Sequence, residues 1–148
     1  MDGKDKGKKI NKLRIATLNV RGLNKEQKRI TIFKWLDDNE IDIALLQETY
    51  CVENFISNFK RNWKGKMFHS PSNSKHAKGV CILFRKELCV DVVNFYKDDD
   101  DGRKILLNVD VDGTNFTIVN VYCPNFPNER EEFINNIKSW VGKVKIVT

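Results

Sequence analysis

The most informative pattern in the chain is a short apolar run that stops abruptly at a polar triplet. Residues 41–46 are mostly apolar, and Gln47, Glu48 and Thr49 follow them. A run of this length predicts a strand that is buried on both faces. Such a strand holds the carboxylate at its end rigidly at the edge of a sheet, where ligands usually dock. Because a buried charge is costly without a partner, Glu48 either caps a structural feature or holds a metal ion.

Hydrophobic periodicity on the N-terminal side of this run predicts a strand and a helix. Residues 13–20 predict a first strand. Ile30, Phe33 and Leu36 recur every three residues among charged side chains, which predicts an amphipathic helix over residues 25–38. Since the buried run follows this helix directly, the chain is expected to open with a strand–helix–strand unit whose strands pair in parallel.

The middle of the chain continues with one helix and two strands. Residues 53–62 carry apolar side chains at helical spacing and predict a short helix. A polar loop at 70–74 precedes an apolar run at 79–84, which predicts a central strand, and another strand follows at 88–96. The acidic run at 98–101 predicts a solvated turn rather than a calcium loop, because the later acidic ligand of such a loop is missing.

The C-terminal part begins with a strong hairpin signal. Apolar runs at 105–111 and 115–122 flank the pair Asp112 and Gly113. Beyond this hairpin, Asn128 is the predicted cap of a helix with one apolar face. Strands outnumber helices, and hairpins are mixed with a parallel unit. The predicted fold class is therefore an α/β (α+β) protein with a mixed sheet and helices on its faces.

The predicted C-terminal helix ends at Gly142, and the last residues predict one more strand. Glu131, three positions after Asn128, completes a near capping box. Residues 144–147 alternate in a way that is typical of a strand.

Composition limits the class of protein. The chain has 148 residues and 41% hydrophobic residues, enough for one domain with a substantial core. No window approaches the length of a membrane span, and the N-terminus lacks the apolar core of a signal peptide. These features predict an intracellular protein, nuclear or cytoplasmic, that is not secreted and has no membrane partner. No protein partner can be identified from the sequence.

The net charge of +6 is unevenly distributed. Residues 1–14 contain six basic and two acidic side chains, and residues 1–12 are predicted to be a disordered basic tail. Such a tail can add nonspecific attraction to nucleic acid. From the tail alone, the favoured interpretation is a solvated, disordered terminus.

Polar residues at three predicted strand ends form a candidate site. Asn19 ends the first strand, Glu48 ends the second, and Tyr122 and Asn125 follow the hairpin. A carboxylate suits Mg2+, which is usually held by one or two carboxylates and phosphate oxygens, and amides and a phenol can donate to those oxygens. The alternative is structural: the asparagines serve turns, Tyr122 closes the edge of the core, and Glu48 pairs with a lysine.

Five motifs then resemble the endonuclease/exonuclease/phosphatase superfamily in order and spacing. Within it the chain most resembles the apurinic-type endonuclease domain of non-LTR retrotransposon polyproteins, and more distantly the exonuclease III and DNase I-like group. The resemblance covers residues 13–148. The motifs are IATLNVRGL at 15–23, DIALLQET at 42–49, KGVCIL at 78–83, GR at 102–103 and IVNVYCPN at 118–125.

The resemblance implies a fold, an activity and four site residues. The fold is a DNase I-like sandwich, and the activity is hydrolysis of DNA phosphodiesters with Mg2+, or Mn2+ as the alternative. Glu48 matches the glutamate that holds the metal, and Asn19 the asparagine that orders the metal and phosphate shell. Tyr122 matches the tyrosine that contacts the phosphate, and Asn125 an asparagine near metal and substrate. In a full-length relative, a reverse transcriptase domain is expected in cis.

The chain also departs from the family pattern. The later Gly-Asp-Phe-Asn and Ser-Asp-His motifs, which supply the presumed base and the assisting histidine, do not occur in it. His69 and His76 are predicted to be surface or loop residues and not substitutes for that histidine. Residues 13–148 are therefore expected to form about the first half of the domain, with half of its active site.

Such a half domain is expected to have an uncovered inner face and impaired catalysis. Val80, Ile82 and Phe84 are predicted to line the uncovered face, which would make the isolated chain marginally stable.

Two further functions stay open at this point. One is hydrolysis of another phosphoester by a phosphatase-type relative, and the other is nucleic-acid binding by a remnant without catalysis.

Overall fold

A computed structural model of the chain describes residues 12–98 and 101–142. Most of the predicted basic tail and the predicted strand at 144–147 lie outside these residues. Within the described part, no helix is long and apolar enough to cross a membrane.

The described residues form two sheets, and the first contains the apolar run that precedes Glu48. It consists of β1 (Ile15–Asn19), β2 (Ile43–Gln47), β3 (Met67–Ser70) and β4 (Val80–Phe84). The strand order is β1-β2-β4-β3, with β1 and β2 parallel and the other pairs antiparallel. The predicted parallel pair and the predicted central strand β4 are thus confirmed. The carboxyl ends of β1 and β2 meet at the same rim of the sheet.

The second sheet has three antiparallel strands. They are β5 (Val90–Lys97), β6 (Lys104–Val111) and β7 (Thr114–Val121), in the order β5-β6-β7. Asp112 and Gly113 connect β6 to β7 with φ values of 48° and 89°. Two consecutive left-handed residues are what a tight hairpin turn requires, so the hairpin predicted from the Asp-Gly pair is confirmed.

In the described residues, three α-helices accompany the sheets. Helix α1 (Glu26–Asp38) lies within one residue of its predicted start, and α2 (Ile56–Asn62) follows a 3-10 turn at Glu53–Phe55. Helix α3 spans Pro127–Gly142. Asn128 therefore lies inside its first turn and is not the predicted cap, because proline is well suited to the first helical position.

The buried face of α1 differs from the predicted one at one position. Ile30 is 40% exposed, whereas Arg29 is only 3% exposed. The Arg29 guanidinium donates to the carbonyl oxygen of Leu23 and to Oδ1 of Asn62, and it lies 5.0 Å from the centroid of the Phe59 ring. Arg29 is therefore buried in α1, where the periodicity predicted the aliphatic side chain of Ile30.

Strand β3 has no counterpart in the sequence-based prediction. His69 lies in it, half-buried and opposite Cys81, so its prediction as a surface or loop residue is wrong, while His76 is exposed as predicted. A four-residue strand of mixed polarity has no clear periodicity, and pairing with β4 determines its conformation. Burial lowers the pKa of His69 to about 4.

The expected exposure of the inner face of β4 is also wrong. Val80, Ile82 and Phe84 are each fully buried. They pack against Ile105, Leu107 and Val109 of β6. The reason is that residues 90–121 of this chain already supply strands of the second sheet, so the chain contributes to both layers.

The uncovered part of the inner face lies instead on β1. Ile15 is opposite Ile43 in register, so its side chain lies on the face that packs against the second sheet. Ile43 is buried, but Ile15 is 58% exposed. Among the described residues, the second sheet therefore covers β2 and β4 but does not extend over β1.

A buried amide joins the two sheets near the rim. Asn120 of β7 donates from Nδ2 to the carbonyl oxygens of Leu46 (3.0 Å) and Cys81 (2.9 Å). Its Oδ1 accepts from Nε2 of Gln47 at 2.8 Å. Asn120 is 1% exposed, so these bonds replace the hydration that the amide loses.

Replacing Asn120 with alanine is expected to lower the free energy of unfolding by about 2–4 kcal/mol, because it leaves buried polar groups without partners. Urea denaturation of the purified chain measures this. Asn135→Ala, at an exposed position of α3, is the control and is expected to change stability by less than about 1 kcal/mol. Equal effects of the two substitutions would contradict the assigned role of Asn120.

The half-buried His69 is expected to make stability pH-dependent. Its pKa is about 4 in the folded chain against an ordinary value of 6.5. The unfolded chain therefore binds the proton first, so the contribution is complete above pH 6.5 and is lost as the pH falls toward 4. His69→Gln is expected to flatten the dependence of the melting temperature on pH in this range. His76→Gln, at an exposed position, is expected to leave it unchanged, and parallel curves for the wild type and His69→Gln would contradict the account.

Candidate active site

The segment that follows β2 has an unusual backbone conformation. Glu48 and Tyr50 have φ values of 54° and 58°, in the left-handed region that non-glycine residues rarely adopt. Gly22 lies directly against this segment, and a Cβ there would be 2.5 Å from Cδ2 of Tyr50. The alternation of left-handed and ordinary residues directs the side chains of Glu48 and Tyr50 out of the strand end.

Backbone hydrogen bonds from both neighbouring strands hold this conformation. On one side, the residues after β1 donate to the carbonyl oxygens of Glu48 and Thr49. On the other side, Thr49 and Tyr50 donate to the residues before β4. The four bonds are Gly22 N to Glu48 O (2.6 Å), Leu23 N to Thr49 O (2.9 Å), Thr49 N to Gly79 O (3.0 Å) and Tyr50 N to Lys78 O (2.9 Å).

Two phenols face the Glu48 carboxylate. The hydroxyl of Tyr50 makes a long hydrogen bond of 3.5 Å to Oε2 of Glu48. Hydrogen bonding to the Glu48 carboxylate is the largest cause that raises the pKa of Tyr122 above its ordinary value, followed by partial burial. The ends of β2 and β7 therefore meet, as the sequence predicted.

Among the described residues, no lysine or arginine forms an ion pair with Glu48. This observation does not support the alternative in which Glu48 pairs with a lysine. A half-buried carboxylate with phenol partners and no neutralising cation has oxygen lone pairs available for an ion.

Asn19 lies at the same rim on the neighbouring strand. Asn19 is opposite Gln47 in the parallel register, and Gln47 directly precedes Glu48. The side chain of Gln47 contacts Thr17 Oγ1 and Asn120, which identifies this as the face toward the second sheet. Oδ1 of Asn19 accepts a 3.3 Å bond from the backbone of Arg21, so the exposed asparagine also stabilises the turn after β1.

Asn125, like Asn19, makes no side-chain hydrogen bond to Glu48 within the described part. Asn125 is exposed. Arg130 of α3 donates to the carbonyl oxygens of Pro124 (3.0 Å) and Asn125 (2.7 Å). These bonds fix the backbone that leads from β7 into α3 and leave the Asn125 amide facing solvent.

Two residues beside the site were not identified as site residues from the sequence. Tyr50 follows Glu48 by two positions, and only its left-handed backbone brings it to the carboxylate. From the sequence, Arg103 is identified only as part of the Gly-Arg motif. Its guanidinium lies 5.3 Å from the centroid of the Tyr122 ring and donates to the Tyr122 carbonyl oxygen at 3.2 Å. The sequence around Arg103 does not indicate this contact, because Tyr122 lies 19 positions away at the end of the other strand of the hairpin.

The donor set fits a weakly held magnesium ion. Glu48 offers carboxylate oxygens, and Asn19 an amide oxygen at the same rim. Mg2+ retains several waters and needs only one or two carboxylates, with substrate phosphate oxygens completing its shell. In residues 12–98 and 101–142, no three His, Cys, Asp or Glu side chains gather as a ligand cluster. The rim therefore does not resemble a closed structural site of the kind that zinc occupies.

Comparison with known proteins identifies the family of the chain. Residues 16–141 match the Endonuclease/Exonuclease/phosphatase family. The chain belongs to this family. The match covers both sheets and all three helices, so the resemblance inferred from the five motifs and the DNase I-like fold class are confirmed.

Individual relatives include a transposon protein and two solved structures. The Transposon TX1 uncharacterized 149 kDa protein of Xenopus laevis is 25% identical over 132 residues, or 89% of this chain and 10% of that protein. The endonuclease domain of TRAS1, a telomere-specific non-LTR retrotransposon, has a TM-score of 0.63 at 18% identity, covering 90% of this chain and 55% of that chain. TDP2 of D. rerio, solved with a single strand DNA product, has a TM-score of 0.66 at 19% identity, covering 92% and 57%.

The chain thus spans little more than half the length of these solved chains and a tenth of the transposon protein. At identities below 25%, the likeness to the solved structures concerns the fold.

Replacing Glu48 with glutamine is expected to lower the pKa of Tyr122, because the carboxylate is the main cause that raises it. Spectrophotometric titration of phenolate measures this, and the titration of a Tyr122→Phe variant isolates the contribution of Tyr122. Glu53→Gln removes an exposed glutamate and is expected to leave the midpoint unchanged. A midpoint that stays the same or rises in Glu48→Gln would show that the two side chains do not interact.

Proposed function

We propose that this chain carries the metal-binding half of an endonuclease site that hydrolyses DNA phosphodiesters with Mg2+. The observation that supports this most is the Glu48 carboxylate at an open rim, which accepts a hydrogen bond from Tyr50, raises the pKa of Tyr122 and pairs with no cation among the described residues. Membership of a family of nucleases and phosphatases supports phosphoester chemistry in general.

Each predicted site residue has a role in this proposal. Glu48 and Asn19 would hold the metal ion, which when bound supplies positive charge to stabilise the leaving oxygen. The ordinary pKa of a tyrosine is 10.0, and that of Tyr122 is raised further, so its hydroxyl is protonated at neutral pH and can donate to a phosphate oxygen. Asn125 would present its exposed amide to the same phosphodiester.

DNA is the proposed substrate because of the kind of relatives that the chain has. The relatives include a transposon protein, a retrotransposon endonuclease domain and TDP2 bound to a DNA product. A net charge of +6 favours attraction to the phosphate backbone. By analogy, we propose the retrotransposon type of endonuclease.

Hydrolysis by residues 1–148 alone is proposed to be slow. The sequence contains neither Gly-Asp-Phe-Asn nor Ser-Asp-His. His69 cannot serve as the assisting histidine, because it is opposite Cys81 on the face of the sheet that packs against the helices. Loss of members of a catalytic group that acts as a unit removes most of its rate enhancement.

Nicking of supercoiled plasmid tests the proposal. With Mg2+, the chain is expected to nick slowly, and Glu48→Gln is expected to reduce nicking about 100-fold or more because the metal site loses its carboxylate. Removal of Mg2+ by a chelator is expected to have the same effect. Glu53→Gln, which is exposed and outside the site, is expected to nick like the wild type.

Other outcomes distinguish the alternatives. Phosphate release from a small phosphoester, without nicking, would favour a phosphatase-type activity. Salt-sensitive DNA binding that Glu48→Gln does not change, without hydrolysis of either substrate, would favour a binding remnant and contradict the proposed catalysis.

A further inference from the structure

Phe126 is the most exposed large hydrophobic residue of the described part of the chain. It is 69% exposed, against 59% for Val93, which is the next highest. Phe126 directly follows Asn125 and lies four positions after Tyr122. A single exposed apolar residue is common and needs no function by itself. Two further observations, on its backbone and on its surroundings, give this ring a role.

The backbone around Phe126 is held from both sides. Pro127 begins α3, and the carbonyl oxygen of Phe126 accepts a hydrogen bond of 3.1 Å from the backbone N–H of Arg130. A residue that precedes proline is itself largely restricted to extended conformations. On the other side, the Arg130 guanidinium donates to the carbonyl oxygens of Pro124 (3.0 Å) and Asn125 (2.7 Å). The ring is therefore exposed although its backbone is fixed.

An exposed ring on a fixed backbone is well suited to binding a flat ligand. Only the two side-chain torsions of Phe126 remain to be ordered, so the loss of conformational entropy on binding is small. Removal of an aromatic ring from water is favourable, and two aromatic rings attract each other further when they stack with an offset. The exposed ring thus favours a partner that is itself a flat aromatic group.

The surroundings of Phe126 favour an uncharged group over a phosphate. A cleft of about 390 Å3 lies beside the start of α3, within the range of sizes that small-molecule sites have. The first turns of α3 line it with Glu129 and Glu132, while Lys78 and Arg103 also line it. Because carboxylates repel phosphate oxygens, the part of a nucleotide that faces α3 and Phe126 is expected to be its base.

We propose that Phe126 stacks on the face of an unpaired nucleobase next to the phosphodiester that the site hydrolyses. This inference rests on the proposed function, in which Tyr122 and Asn125 hold that phosphodiester close to the ring. A phenyl ring binds the face of any base, whereas the bases of an intact duplex present only their edges in the grooves. The substrate class is therefore single-stranded DNA, or a duplex in which a base is locally unpaired.

Binding of a fluorescently labelled DNA strand of about 12 nucleotides, followed by anisotropy with a chelator and without Mg2+, tests this proposal. Phe126→Leu keeps an apolar side chain but loses the aromatic face, and is expected to weaken binding of the strand about tenfold. Phe126→Trp is expected to bind the strand at least as tightly as the wild type. Phe126→Leu is expected to change the affinity for a matched duplex by less than about twofold, since a duplex offers no free base.

A second strand separates stacking from the other contacts with DNA. In this strand of the same length every nucleotide is replaced by a tetrahydrofuran abasic analogue, so that it has phosphates but no bases. Phe126→Leu is expected to leave its affinity unchanged. An equal loss of affinity for the abasic strand and the normal strand would overturn the proposal, because the ring would then not bind bases.

Trp35→Leu is the matched control variant. Trp35 is an aromatic residue of α1 that is 49% exposed. Its carbonyl oxygen accepts from Asn39, whose own carbonyl oxygen accepts from Arg14 ahead of β1, so Trp35 lies near the opposite rim of the sheet. Trp35→Leu is expected to bind the normal strand like the wild type. If it weakens binding as much as Phe126→Leu does, any exposed aromatic residue suffices and the proposal is wrong.

The folding of the variants is checked by thermal denaturation. Because Phe126 is mostly exposed, Phe126→Leu is expected to shift the melting temperature by less than about 2 °C. A variant that does not fold would show that Phe126 is structural, which contradicts the proposal. A wild type that does not bind the normal strand contradicts it as well.

The binding assay separates this inference from the proposed function, because it requires no hydrolysis. If the wild type nicks plasmid and Glu48→Gln does not, while Phe126→Leu binds the normal strand like the wild type, only the stacking role is wrong. If Phe126→Leu loses affinity only for strands that carry bases, but no Mg2+-dependent hydrolysis occurs, the proposed function is wrong and the stacking of bases on Phe126 is confirmed.

Discussion

The side-chain amide of Asn120 is the interaction on which the arrangement of the two sheets depends. Its three hydrogen bonds join β7 to β2 and β4 within a layer that is mostly apolar. Apolar packing is not directional, so it would allow the sheets to slide, whereas a buried amide has one arrangement that satisfies it. Gln47, which donates to Asn120, lies next to Glu48, and Asn120 lies two residues before Tyr122. The Asn120 amide therefore also brings the two halves of the site to the same rim.

Besides the hydrogen bonds of Asn120, the rim has a strained backbone. Two left-handed residues within three positions cost on the order of 1 kcal/mol each and persist only where neighbours hold them. Here the neighbours are the ends of β1 and β4, which bond to the segment from both sides. The result is a carboxylate and two phenols presented at the edge of a sheet, a geometry that an ordinary strand end does not provide.

Cations near the site contact its scaffold and leave its carboxylate free. Arg29 is buried against carbonyl oxygens and aromatic rings behind the loop after β1, and Arg103 stacks on Tyr122. Lys78 pairs with Asp101. Positive charge therefore orders the loops around Glu48, and within the described residues none of it neutralises Glu48 by an ion pair. This separation is what a site for an external cation requires.

The sequence by itself determined the order of most elements, the Asp-Gly hairpin, the parallel pair and the family, because these follow from local periodicity and short motifs. It also placed Glu48 and Tyr122 at strand ends that meet. It did not identify β3, the buried Arg29 or the contact of Arg103 with Tyr122. Each of these depends on a neighbour distant in the chain. Whether the inner face of β4 is covered was likewise decided by the tertiary structure, since burial depends on which strands pack across the layer and not on the periodicity of one strand.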